Sequence, residues 1–301
     1  MKGRGNAKLP TALARRYRVA RGERFRLERV DPGDTGGLRD PELARVWLDE
    51  SRTLLSELQD KLFAQDSWSL LLIFQAMDAA GKDGTIEHVM SGVNPQGCQV
   101  CSFKEPSAEE LDHDFMWRCL RNLPERGRIG VWNRSHYEEV LTVRVHPELL
   151  RAQKLPQELL GDNLFDKRLH DIRNIERYLV RNGIVIVKFF LHVSKAEQRR
   201  RFIKRLDEPE KNWKFSAADV RERRHWNEYM RCYERAVRAT ATPHAPWYVV
   251  PADHKWFTRL VVCRAIIDAL RPLELHYPRI DTRARKALAK ARKELRGGRD
   301  A

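Results

Sequence analysis

Lys82 stands between Gly81 and Gly84, with Asp78 and Asp83 to either side, in the stretch Gln75-Ala-Met-Asp-Ala-Ala-Gly-Lys-Asp-Gly84. These residue types at this spacing suit the binding of a phosphate. The small residues Ala79, Ala80, Gly81 and Gly84 let backbone N–H groups approach an anion, and Lys82 adds a full positive charge. The flanks supply the context such a loop needs. Leu70-Leu-Leu-Ile-Phe74 is a continuous apolar run, as a buried parallel strand requires. Downstream, Ile86, Val89 and Met90 recur at helical spacing, so the Gly-Lys pair falls in a strand-to-helix turn. The match to G-x-x-x-x-G-K-[ST] is incomplete, with Ala76 at the first glycine and Asp83 where a metal-holding hydroxyl would stand. Asp78, the carboxylate inside the loop, is expected to take over the metal work. An ordinary glycine turn with a surface lysine would carry the same letters, but not the strand before and the helix after.

Two further constellations fit the same chemistry. Arg128-Ile-Gly-Val-Trp132 reads as a strand that ends at Asn133-Arg-Ser135. Asn133 stands where such sites often carry Asp, so it can hold a metal-bound water without adding charge. Arg134 is expected to point at the phosphates. Farther on, Arg201 and Arg205 share a helix face at four-residue spacing, with Lys204 beside them. Guanidinium suits bidentate phosphate contacts. The polar segment through Lys211 and Lys214 is long, as a mobile lid would be, and the lid is expected at about residues 197–225.

These residues need a scaffold, and the chain alternates strands with helices throughout. Asp40-Pro-Glu starts a helix to about Ala64, with Leu43, Val46, Trp47, Leu54, Leu55 and Leu58 on one face. Cys98–Phe103 is a strand candidate. Ser107 opens a helix with a capping box, with Phe115, Cys119 and Leu123 on its inner side. A helical region from about Pro156 to Arg181 precedes the apolar strand Ile184–Val193, and Ser194 caps the next helix. Strand Trp247–Val250 and a helix from about Phe257 to Leu270 close the body. The pattern predicts an α/β fold with a central parallel sheet covered on both faces.

The 301 residues are 42% hydrophobic, which suits one large domain with a lid. The net charge of +15 suggests a nucleic-acid binder until it is located. Residues 1–30 hold 10 Lys/Arg against 2 Asp/Glu, and residues 279–301 hold 9 against 3, so residues 31–278 are nearly neutral at 38 against 37. Basicity therefore belongs to the ends, read as an arm at 1–39 and a tail at 279–301, with the folded body at 40–278 between. No helix-turn-helix, zinc or RNA-stacking motif is present. No apolar run reaches the roughly 18 residues of a membrane span, and no secretory h-region follows the basic N-terminus. The odd count of five Cys points to free thiols in a reducing cytoplasm. Cys98-x-x-Cys101 has no second pair and reads as packing, the ten His show no ligand spacing, and the eight Trp read mainly as core.

Taken together, Asp78-Ala-Ala-Gly-Lys82-Asp-Gly, Ser91-Gly-Val-Asn-Pro-Gln-Gly97, Asn133-Arg-Ser-His-Tyr-Glu138, Asn212-Trp-Lys-Phe-Ser216 and Ala245-Pro-Trp-Tyr-Val-Val250 resemble the polyphosphate kinase 2 family over roughly residues 40–275. The resemblance implies a P-loop kinase-like three-layer α/β/α fold with a helical lid. It also implies phosphoryl transfer, dependent on magnesium or manganese, between inorganic polyphosphate and adenine nucleotides, with guanine open as a second base. Asn133 and the Asn-Pro-Gln-Gly segment are most similar to the branch accepting both AMP and ADP. Asp78, Lys82, Arg134, Arg201 and Arg205 would then be catalytic. The loop residues Ala79, Ala80, Gly81, Asp83 and Gly84, with Asn133, Lys211 and Lys214, would bind phosphate or nucleotide. A homo-oligomer is expected. An ATP-dependent nucleoside-monophosphate or small-molecule kinase would share loop and lid, and donor use separates the two. A nucleic-acid binder would lose function with its basic ends, whereas a kinase would keep its turnover.

Overall fold

In the computed structural model, residues 12–296 are described. Along the chain run β1 (Arg18–Val19), α1 (Pro41–Gln65), β2 (Ser69–Ala76), α2 (Lys82–Met90), β3 (Cys98–Ser102), α3 (Ala108–Leu111) and α4 (Trp117–Leu120). Then come β4 (Ile129–Asn133), α5 (Thr142–Val145), α6 (Leu164–Arg181), β5 (Ile184–His192) and α7 (Lys195–Asp207). The rest is α8 (Ala217–Glu222), α9 (Trp226–Thr240), β6 (Trp247–Pro251), α10 (Lys255–Leu270) and α11 (Thr282–Arg296). The strands form one sheet in the order β1-β6-β5-β2-β4-β3. β2 lies inside it, parallel to β4 and β5, and every one of its residues is buried. A strand covered on both faces has no polar side, which is why its sequence is apolar without alternation. α1 packs along α10, and α6 packs against α9 and β5. This is the layered α/β fold that the sequence predicts.

Local chemistry sets the element ends. The Asp40 carboxylate accepts from the Glu42 and Leu43 amides at 2.9 and 3.3 Å, and Pro41 takes the first turn of α1. The buried stripe of α1 runs through Ala44, Trp47, Leu48, Ser51, Leu55, Gln59 and Leu62, so Val46, placed on that face from sequence, is exposed instead. The Ser107 capping box forms with Glu110, but its helix ends after one turn. Asp114 accepts from the Met116 amide at 2.9 Å and starts a separate turn, so Phe115, Cys119 and Leu123 do not lie on one helix.

The largest departure is in the segment read as a free arm. Ala14, Tyr17 and Leu27 are buried, and the Tyr17 ring meets Phe257 edge-on at 5.8 Å. β1 pairs antiparallel with β6, at Arg18 with Tyr248 and Val19 with Trp247. A Cβ on Gly22 would fall 2.2 Å from the Arg238 carbonyl, so only glycine lets this segment lie so close to α9. Residues 14–32 thus belong to the folded body. Residues 1–11 and 297–301 of the two basic ends lie outside the described residues. α11 has no buried residue, as a solvated tail helix should not.

Beneath β4 sits a closed polar network. Lys188 on β5 is fully buried and donates to Glu176 at 2.5 Å, to the Tyr137 hydroxyl at 3.1 Å and to the Thr240 carbonyl at 2.9 Å. The Tyr137 hydroxyl donates to Glu176 at 2.7 Å. A buried charge is tolerated when paired and hydrogen-bonded in this way. The network holds the segment after Asn133 and Arg134 against the sheet.

Candidate active site

At the C-terminal end of β2 the chain turns through Met77–Gly81 into α2, and two residues of this turn adopt left-handed backbone: Ala79 at φ 59° and Gly81 at φ 97°. Ala79 is a strained choice for that region, as residues at functional turns often are. Gly81 is the N-cap of α2, and its carbonyl accepts from the Thr85 amide and hydroxyl, both at 2.9 Å. Lys82 is therefore the first residue of the helix, where the backbone N–H groups and the helix dipole also attract anions.

β4 delivers the second set of groups beside this loop. Phe74 pairs with Asn133 in parallel register, and the Arg134 amide donates to the Phe74 carbonyl at 3.0 Å. Asn133 donates to the Asp83 carboxylate at 2.7 Å, and Arg134 donates to Asp78 at 3.3 Å. Arg134 itself holds a left-handed φ of 65°. Loop and strand end are thus tied at two points. Burial lowers the Lys82 pKa, and Arg134 pushes the same way, while Glu138, Asp78 and Asp83 oppose. Glu138 is also the main influence holding Arg134 cationic. A phosphate beside Lys82 would add the negative charge that offsets its burial.

The lid segment begins at Ser194, whose hydroxyl accepts from the Glu197 amide and caps α7. Here the two arginines expected to share one role separate. Arg201 is buried under the phosphate loop. Its Nε donates to Glu197 at 2.7 Å, its Nη1 to the Ala79 and Ala80 carbonyls at 3.1 and 2.6 Å, and its Nη2 to the Ala252 and Asp253 carbonyls at 2.6 and 3.1 Å. Arg201 borders the cleft as well, but backbone carbonyls and Glu197 engage its whole guanidinium, so a phosphate contact would have to displace one of these bonds. Gln198, one turn earlier, donates to the Asp78 carbonyl at 2.8 Å. Arg205 lines the cleft with Asp219 at 3.9 Å. Lys204 also reaches the cleft and lies 3.5 Å from Glu208. Lys211 lines the cleft while paired with the same Glu208. Lys214 ends the 3-10 turn Pro209–Lys214.

The cleft has a volume of about 760 Å³ and gathers groups from five parts of the chain: the loop, the β3 and β4 ends, α7–α8 and the start of α10. Sequence reasoning missed five of its charged residues: Lys104 and Glu105 after β3, Asp219, Lys255 and Arg259. Lys255 and Arg259 stand four apart at the start of α10, the same spacing that drew attention to Arg201 and Arg205. Asp219 on α8 also faces in, and burial raises its pKa, with Asp78 acting in the same sense. Glu138 lay inside a quoted motif without being assigned a role.

Among the described residues, no three His, Cys, Asp or Glu side chains form a metal cage. Magnesium needs no such cage, since it binds through one or two carboxylates and substrate phosphates. The Asp78 charge helps raise the Asp219 pKa across the cleft, so a divalent cation fits this donor set. Cys98 and Cys101 are free thiols on β3 with pKa values raised by burial, so neither is an activated nucleophile. No described helix is long and apolar enough to cross a membrane.

Comparison with known proteins agrees with this geometry. The profile of the family described as Polyphosphate kinase 2 (PPK2) matches residues 42–276. A Rhodopseudomonas palustris protein named ADP-polyphosphate phosphotransferase is 52% identical over 286 residues, covering 93% of this chain and 98% of that one. A Meiothermus ruber protein named AMP/ADP-polyphosphate phosphotransferase is 42% identical over 273 residues, covering 90% and 98%. The crystal structure of polyphosphate kinase 2 from Arthrobacter aurescens TC1 superposes with a TM-score of 0.84 at 40% identity, covering 93% of this chain and 96% of that one. On this match over most of its length, the chain belongs to the polyphosphate kinase 2 family.

Proposed function

We propose that this kinase moves phosphoryl groups between inorganic polyphosphate and AMP or ADP, with magnesium, or manganese in its place, as the required ion. The observation that carries the reading is the convergence of Lys82, Arg134, Arg205, Lys255 and Arg259 on one cleft that also holds Asp78 and Asp219. Phosphoryl transfer has a loose transition state and needs positioning and charge neutralisation rather than a covalent residue. The loop amides and Lys82 hold the transferred group. Arg134 and Arg205 face the charge that develops on its oxygens, and Lys255 and Arg259 extend the cationic surface for further phosphates of a chain. Asp78 and Asp219 would hold the ion, which would supply positive charge to neutralise the phosphates. Arg201 fixes the loop from below and is a positioning residue. The relatives' names differ in acceptor, ADP alone in one and AMP or ADP in the other, and Asn133 with Asn94-Pro-Gln-Gly97 supports the broader choice.

The test is incubation with magnesium, polyphosphate and either AMP or ADP, with the products separated. ADP and ATP from AMP, and ATP from ADP, are expected. Phosphorylation of AMP from ATP with none from polyphosphate would overturn the donor assignment. Lys82→Ala should lower turnover on the order of a hundredfold or more in a folded protein. Asp78→Asn should shift the magnesium concentration for half-maximal rate more than the KM for nucleotide. An unchanged magnesium profile would leave Asp78 a structural turn residue.

A further inference from the structure

A second cavity, of about 860 Å³, shares no lining residue with the phosphate cleft. It opens between the two ends of the lid, Ser194-Lys195 where the lid leaves β5 and Trp226 where it returns into α9, and the N-terminal segment Leu27–Pro32 closes its far side. Its floor is apolar: Leu27, Val193 and Trp226 are buried, and Met230 is half-buried beside them. Its rim carries four cations, Lys195, Arg231, Arg235 and Arg238, against the carboxylates Glu28 and Glu234. Arg235 and Arg238 are paired with Asp166 and Glu234, whereas Lys195 and Arg231 are exposed and have no ion pair among the described residues.

One polar group in this cavity lacks a partner. His192 lines it and is 8% exposed, and its Nδ1 has no hydrogen bond. The Val30 backbone lies close enough to favour the charged ring. Burial pushes its pKa down to about 4 against the opposing pull of Asp253 and Asp31, so the ring is neutral at pH 7. In the tautomer that carries its proton on Nε2, Nδ1 is an acceptor that calls for an N–H or O–H donor. A buried acceptor left unmatched costs about 1–3 kcal/mol, so a ligand supplying the donor gains from it.

We propose that this cavity is a second binding site for a purine nucleotide. The flat base lies on the apolar floor and gives a ring or exocyclic N–H to His192 Nδ1, and the phosphates meet Lys195 and Arg231 at the rim. Inorganic phosphate alone leaves the apolar floor uncovered and sets an acceptor against an acceptor at His192. A fatty acid satisfies floor and rim but brings no donor to Nδ1. Because the phosphates touch both ends of the lid, occupancy couples the nucleotide pool to the position of the lid. The site does not depend on which donor or acceptor the phosphate cleft uses.

The experiment is photolabelling of the full chain with 8-azido-ATP, followed by residue-level peptide mapping. Residues 27–32 line this cavity and not the cleft, so label there reports this site alone. Label on that segment is expected, displaced by AMP and not by an equal concentration of inorganic phosphate. Met230→Trp, which fills the cavity, and Arg231→Glu, which reverses its rim, should each reduce that label at least tenfold. Label near the phosphate loop should persist in both and shows that the variants are folded. Label confined to the phosphate cleft, insensitivity to both substitutions, or displacement by phosphate as effective as by AMP would overturn the site. The readout does not require turnover, so it stands apart from the test of the phosphoryl donor.

Discussion

Arg201 and Arg205 stand one helical turn apart on α7, both bordering the cleft, and the fold surrounds them differently. The root of the lid, through Gln198 and Arg201, is bonded to the carbonyls of Asp78, Ala79 and Ala80. The next turn, at Arg205, looks into the cleft. The spacing of the two arginines reveals a shared face and nothing about what covers it. At the root the phosphate loop and the end of β6 wrap over the face and consume every donor of one guanidinium. Four residues later that cover ends and the same side chain type meets open cleft. Helical spacing therefore locates a cation, and the surrounding backbone decides how many of its donors are already engaged.

Arg201→Ala should break this comparison most severely. Removal leaves Glu197 and four backbone carbonyls buried without their partner, at a cost of about 3 kcal/mol. Both melting temperature and turnover should fall, because the loop loses its floor. Arg201→Lys should not restore either, since an ammonium cannot span two pairs of carbonyls. A variant with wild-type melting behaviour and reduced rate would mean that Arg201 serves substrate after all.

Arg205→Ala is the sharper counterpart. Arg205 is half-buried, lies 3.9 Å from Asp219 and covers the Phe202 ring, so its loss should cost less stability than that of Arg201. The maximal rate should drop roughly tenfold to a hundredfold. The informative quantity is the split: thermal melts separate the two variants, whereas turnover lowers both. Equal melting losses would erase the distinction between root and outer lid.

The same contrast explains what was readable from the chain. The phosphate loop, the β4 end and the Ser194 cap depend on neighbours within about ten residues, and apolar runs, glycines and caps display such neighbours directly. Burial of Ala14, Tyr17 and Leu27 depends on partners more than 200 residues away, namely Phe257, Tyr248 and Glu234. No periodicity in so short a segment could announce them. Asp219 and Arg259 enter the cleft from α8 and α10 for the same reason, since their meeting with Lys82 is a property of the sheet order.

A smaller effect is expected where the lid rejoins the body. Glu222, on α8, accepts from the Tyr229 hydroxyl at 2.8 Å and lies 2.9 Å from His146 Nε2. Burial alone pulls the His146 pKa down, but Glu222 and Glu148 outweigh it and the net shift is upward, while Glu222 itself is lowered. The His146 contribution is complete below its unfolded value of 6.5 and is lost as pH rises through the higher folded value. The Glu222 contribution is present above 4.5 and is lost on acidification. The latch is thus firmest between about pH 4.5 and 6.5. Hydrogen exchange of residues 217–225 should quicken from pH 6 to pH 8 beyond the intrinsic rise, and His146→Gln should remove that excess. An identical excess in the variant would assign it to another group.

The smallest effect should come from the C-terminal tail, the region least joined to the lid. Residues 279–301 hold 9 Lys/Arg against 3 Asp/Glu, and every residue of α11 is exposed or half-exposed. Unburied charge raises the encounter rate with a polyanion, and the gain fades as salt shortens the Debye length to about 8 Å near physiological strength. A chain ending at residue 278 should keep its maximal rate on saturating polyphosphate. Its apparent affinity for long chains should weaken at low salt and converge with that of the full protein at high salt. The N-terminal end carries similar charge, at 10 against 2 in residues 1–30, but a chain beginning at residue 31 loses β1 with Ala14, Tyr17 and Leu27. That truncation should lower the melting temperature, so only the C-terminal deletion isolates charge from packing. A salt series on short and long polyphosphate with the two deletions side by side makes the measurement. If the C-terminal deletion folds yet loses its maximal rate on every donor, the tail builds part of the active site and does more than attract substrate.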